Sequence, residues 1–162
     1  MVAWLDPRAI AEAHEAARTQ WRSVEVPLER FTRWIDARLS EGDELHTLRT
    51  ADLYLTCACA SNEPHALEVF EKKVLPAVDR ALARLSLSSA AIDETKQVLR
   101  RRFFVGVDGA APRIAAYAGR GDLRSWVRAA AVRAALRVIR RPASCGRDAG
   151  RQRRHACRPR AR

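Results

Sequence analysis

Few side chains in this sequence have the types and spacing that covalent chemistry needs. Cys57, Cys59, His65, Cys145, His155 and Cys157 can be gathered on paper into a ligand set. However, two cysteines at i and i+2 on a helix point about 160° apart, and the tail spacing matches no familiar zinc pattern. They read as core and tail thiols, and no metal or cofactor is expected. The adjacent acids Asp93 and Glu94 open a helix, where they complement its dipole, and His14 and His65 fall on helices without an evident partner. Gly119-x-Gly121 is too short for a phosphate loop and follows no strand. Catalysis is therefore not expected, and binding is what remains. Between Leu123 and Arg141 stand six arginines and no acidic residue. A helix face that is merely solvated mixes signs to gain i,i+4 pairs, so this uncompensated run suits phosphates.

The element carrying that run has to be a helix. At about 100° per residue, Leu123, Val127, Ala130, Ala134 and Val138 form a stripe for a core. The same reading sets Trp126, Arg133, Arg137 and Arg140 outward, on the opposite side. Arg120-Gly121-Asp122 ahead of it reads as a turn and cap.

Helices are expected throughout the upstream chain as well. Asp6-Pro7 opens one, with Ile10, Ala13, Ala17 and Trp21 at helical spacing, ending near Ser23. Pro27 opens a second, with the stripe Leu28, Phe31, Ile35 and Leu39 and a stop at Glu41-Gly42-Asp43. Thr50 is expected to cap the apolar segment Thr50 to Ala60. From Pro64, Leu67, Phe70, Val74, Val78, Ala81 and Leu85 share one face of a long helix that Pro76 should kink. Ser88 or Ser89 caps the next, with Ile92, Leu99 and Phe103 inward and Arg100 to Arg102 polar. A Gly-punctuated loop with one short turn, Arg113 to Tyr117, leads to the last helix. No stretch alternates with period two, so the fold is expected to be all-α. The expected divisions are an N-terminal helical hairpin over 1–49, a helical domain over 50–141, and a disordered Arg-rich tail over 142–162.

The chain of 162 residues carries a net charge of +11 with a pI near 10.8, which favours a polyanionic partner. Nucleic acid ranks before membrane, because no apolar run approaches the roughly 18 to 20 residues that span a bilayer. Seven arginines and one aspartate follow Arg141, so more than half of the excess charge sits in the tail. The N-terminus lacks the features of a secretion signal and four cysteines give no disulfide framework, so a cytoplasmic, reducing location is expected.

Asp93-Glu-Thr-Lys-Gln97-Val-Leu, the Gly-bearing loop, and Gly119-Arg-Gly-Asp-Leu-Arg-Ser-Trp126 through Arg141 resemble region 2 of sigma-70 family RNA polymerase sigma factors, of the small extracytoplasmic-function type. Asp52 to Leu85 resembles the first helix pair of that region, so the likeness covers about half the chain, from Asp52 to Arg141. It implies a transcription initiation factor with two surfaces. Asp93, Glu94 and Gln97 would dock on the clamp helices of RNA polymerase core, with Val98 departing from the acid common in the family. Gly119, Arg120, Gly121 and Asp122 would form a loop that helps capture a base flipped from the non-template strand of promoter DNA just upstream of the start site. Arg124 and Trp126 would open the DNA-facing helix, and Arg133, Arg137, Arg140 and Arg141 would meet the backbone; Arg133 stands where the family often has Asn. An anti-sigma factor or other regulator is a further implied partner. The family's second domain, with its helix-turn-helix, has no counterpart in the periodicity after Arg141. The alternative is a helical interaction module, or a decayed or truncated sigma factor, that binds polymerase or a regulator without promoter recognition. An Arg row buried under the N-terminal hairpin would favour that alternative, and an open row would favour DNA.

Overall fold

A computed structural model describes residues 6–40, 43–106 and 109–140, and every regular element among them is helical. The expectations for Glu41-Gly42, Arg141 and the tail from 142, with Cys145, His155 and Cys157, lie outside the described residues.

The arrangement follows from one segment that is apolar on every side. Thr50–Ala60 (α3) has all residues from Leu53 to Cys59 buried, as a helix without a polar face must. The buried hydroxyl of Thr56 is satisfied by donating to the Leu53 carbonyl at 3.1 Å. The expected cap differs. Thr50 is already helical, and Arg49 precedes the helix without a side-chain cap bond.

Pro7–Gln20 (α1) starts where Asp6 accepts from the Arg8 N–H at 2.9 Å. It lays Ile10 and Ala17 on α3, and Trp21 just beyond it donates through Nε1 to the Ala51 carbonyl at 2.8 Å. Leu28–Asp36 (α2) follows Pro27 and buries Phe31 and Ile35, whereas Leu28, expected in the same stripe, is 43% exposed at the helix start. The turn joining α1 and α2 is fixed to α3. Tyr54 donates its hydroxyl proton to Val24 and accepts from the Val26 N–H, both at 3.0 Å. His14, for which the sequence offers no partner, donates from Nε2 to the Val26 carbonyl at 2.7 Å. These N-terminal side chains belong to the same hydrophobic cluster as the rest of the chain.

Pro64–Lys73 (α4) is capped by Glu63, whose two carboxylate oxygens accept from His65 and Ala66. The expected interruption at Pro76 divides the segment into two helices joined through Val74 and Leu75, both of helical backbone conformation. The regular pattern gives way at Val74 and Leu75, whose N–H groups both donate to the Phe70 carbonyl, at 2.9 and 3.0 Å, and Pro76 becomes the first residue of a separate helix, Pro76–Leu82 (α5), a position where its missing N–H costs nothing. Ser89–Arg100 (α6) is capped by Ser88 and held down by ion pairs from Lys96 to Asp79 and from Arg100, bidentately, to Glu71 at 2.7 and 2.9 Å. A wide turn, Arg101–Val105, then closes with the Gly106 N–H on the Arg101 carbonyl at 3.0 Å. Leu123–Arg140 (α7) packs on α5 and α6. No described helix is long and apolar enough to cross a membrane.

Candidate nucleic-acid interface

The loop ahead of α7 is wired to the body at several points. Gly119 takes φ +76°, a conformation that favours glycine, and presses on Leu53; its carbonyl accepts from the Arg49 N–H at 2.8 Å. Arg38, just past α2, donates to the carbonyls of Trp34 (2.8 Å), Ala115 (2.6 Å) and Tyr117 (2.9 Å) while its guanidinium lies over the Trp34 ring. Burial lowers its pKa to about 10, still well above neutral. Arg120 pairs with Asp43 at 2.5 Å, and that bond holds the Asp43 carboxyl below its ordinary range. Asp122 accepts from the N–H and hydroxyl of Ser125, both at 2.8 Å, which is the geometry of a helix cap.

Asp52 joins the loop to α3. Its carboxylate accepts from the Leu123 N–H at 3.2 Å, and the Tyr117 hydroxyl shares its one proton between this carboxylate, at 3.3 Å, and the closer Gly121 carbonyl. Burial pushes the Asp52 carboxyl above its ordinary pKa, outweighing those bonds. The folded state therefore holds this proton more tightly than the unfolded chain, so this group's contribution to stability falls as pH rises through the unfolded pKa and levels off above the folded one. Asp52→Asn is expected to remove that fall. From about pH 3 to about pH 7, the urea midpoint of the variant should shift upward relative to the wild type and then plateau; the opposite trend would refute the assignment. Beside this carboxylate lies a cavity of about 420 Å³ lined by Trp21, Arg49, Thr50, Asp52, Asp122 and Arg124, within the range of pockets that hold small molecules (roughly 300 to 1,000 Å³).

The arginine row sits differently from the expectation. The buried side of α7 takes in Ala131 and Ala135 as well as Leu123, Val127, Ala130 and Ala134, and at about 100° per residue Arg137 stands about 80° and Arg133 about 120° from the centre of that side, not opposite it. Arg133 and Arg137 therefore flank the core contact, at the seam with α6. There, with Leu99, Phe103, Ala130 and Ala134 as floor and walls, they line a cleft of about 160 Å³ together with Arg102 and Arg113. Arg140 is exposed one turn farther along, and Arg124 donates to the Lys73 carbonyl at 3.1 Å. Trp126 is not held outward. It stacks on Phe103, ring centroids 5.4 Å apart, and meets Tyr117 edge-on.

Charge compensation separates these arginines into two groups. Arg100 and Arg120 have carboxylate partners. Arg102, Arg113, Arg133 and Arg137 make no ion pair or side-chain hydrogen bond among the described residues, and Arg133, Arg137 and Arg113 are exposed. Four unpaired guanidiniums around one cleft form a field suited to a phosphate chain. Arg102 and Arg113 were missed as site residues, although the Arg100-Arg101-Arg102 run was a visible signal. On α6, Asp93, Glu94 and Gln97 are exposed and, by helical spacing, turned away from buried Leu99. The row is open, and α1 and α2 pack on α3 instead of covering it. No protein-family model, curated protein or solved structure matches the chain, so the chemistry of this cleft is the ground on which its function has to be argued.

Proposed function

We propose that the chain is a sigma region 2-like initiation module that binds RNA polymerase core through the Asp93, Glu94 and Gln97 face and holds promoter DNA on α7 and its preceding loop. The observation that carries this reading is the cleft of four uncompensated arginines. Guanidiniums around an apolar floor hold phosphodiesters, because the backbone supplies most of the affinity of nucleic-acid binding and every neutralised phosphate releases counterions. The cavity beside the loop offers both carboxylates and guanidiniums to the edge of an unstacked base, and extruding a base costs only a few kcal/mol, which such contacts offset. The resemblance of Asp93 to Gln97 and of Gly119 to Arg141 to the sigma motifs supports the same assignment. Openness of the arginine row favours DNA engagement over a purely protein-binding module.

The test is capture of a fluorescent non-template promoter strand by polymerase core with and without this protein. Sequence-dependent capture is expected only when both proteins are present, and Asp93→Arg/Glu94→Arg should abolish it while leaving binding of the strand to the isolated chain intact. Capture that ignores promoter sequence, or that survives the charge reversal, would refute the proposal.

A further inference from the structure

The outer side of α7 carries a pattern that phosphate binding does not use. Ala129, Val132, Leu136 and Ile139 recur at intervals of three and four and so share one stripe. Val132 is half-buried, Ala129 is exposed, and Leu136 and Ile139 are 40% and 53% exposed. The order of sizes is inverted. The inner side of the same turns is closed by Ala130, Ala131, Ala134 and Ala135, while the bulkier Leu and Ile face out. Large aliphatics normally fill the interior, and an adjoining apolar pair left outside signals a contact yet to be made. By helical spacing Arg128 borders the stripe on one edge and Arg140 and Arg133 on the other, with Arg137 beyond them, and α7 has no acidic residue.

We infer that this face docks an acidic amphipathic helix of a partner protein. Residues at i, i+3, i+7 and i+10 offer the ridge that another helix packs against, and arginines along both edges select carboxylates on the partner's edges. A second copy of the chain would bring arginine against arginine. The chain's own tail, with seven arginines and one aspartate, has the wrong sign for the same reason. A lipid surface fits less well, because a helix lying on a membrane needs a broad apolar face with large side chains, and here two bulky aliphatics stand well exposed. This inference does not depend on the cleft reading.

The probe is a fluorescent synthetic peptide with leucines at i, i+3, i+4 and i+7 and glutamates along both edges, titrated by anisotropy against the full chain. A scrambled peptide of the same composition controls for attraction to the basic tail. The patterned peptide is expected to bind at least about tenfold more tightly than the scrambled one, and Leu136→Ser/Ile139→Ser should erase that difference. Both substitutions are at exposed positions, and an unchanged helical circular dichroism signal verifies that the variant is folded. Equal binding of the two peptides, or an unaffected double variant, would overturn the inference. Binding of the chain to phosphatidylserine vesicles that is lost in the double variant, with no preference between peptides, would assign the face to a membrane and overturn it as well.

Discussion

Replacing Arg102, Arg113, Arg133 and Arg137 together by alanine is expected to flatten the salt dependence of single-stranded DNA binding by about 3 units of log affinity per log salt. Each phosphate contact on a single strand contributes about 0.7 to that slope, and the four guanidiniums of the cleft are free to make one contact each. Between about 50 and about 200 mM salt the wild type should therefore lose about 50-fold more affinity than the variant. The Arg-rich tail remains in both proteins, so its contribution cancels. Arg120→Ala makes a sharp contrast. That guanidinium is already neutralised by Asp43, and its removal should leave the slope nearly unchanged. Parallel slopes for the wild type and the quadruple variant would move the affinity to the tail and remove the cleft from the interface.

Gly119→Ala is expected to destabilise the fold by about 2 to 5 kcal/mol, read as a lower urea midpoint with an unchanged m value. Two costs add at this position. A side chain at φ +76° is strained by about 1 to 2 kcal/mol, and the new Cβ would stand 2.6 Å from Leu53 Cδ1 and 2.9 Å from its Cγ, an overpacking cost of about 1 to 3 kcal/mol. Leu53 has little freedom to retreat, because it is fully buried in α3. Gly121 is two residues away in the same loop, yet its Cβ would meet nothing within 4 Å, so Gly121→Ala should change stability by less than about 0.5 kcal/mol. Equal effects at the two positions would show that the loop is not seated on Leu53 as described.

What could be read ahead of the structure was whatever depends on one helix at a time. Asp6-Pro7 and Ser88 start helices because their side chains satisfy the first free N–H groups a few residues away. The core positions Phe31, Phe70, Leu99 and Val127 follow from the helical period alone. The failures came where a second element decides the outcome. Periodicity fixes the angle between Trp126 and Arg137 on α7, but which sector is covered depends on where α5 and α6 lie. Alanines at 131 and 135 look neutral in sequence and prove to be contact residues. Likewise, Arg113 reaches the cleft on a short turn held against the body by buried Ile114 and by the Arg38 bond to the Ala115 carbonyl. Of the residues around the cleft, Arg133 and Arg137 stood out in the sequence but were set on the wrong side of α7, Arg102 lay in a visible arginine run, and the place of Arg113 depends on contacts that no local pattern encodes.

The anchoring of Arg38 also sets an order of events during synthesis. Its acceptors in the loop, Ala115 and Tyr117, lie 77 and 79 residues downstream. At roughly 5 to 20 residues per second, a ribosome needs about 4 to 16 s to deliver them. Until then only its local contacts, to the Trp34 carbonyl and ring, are within reach. The N-terminal helices can thus settle on α3 as soon as it is made, and only the tie from Arg38 to the loop has to wait for the later chain.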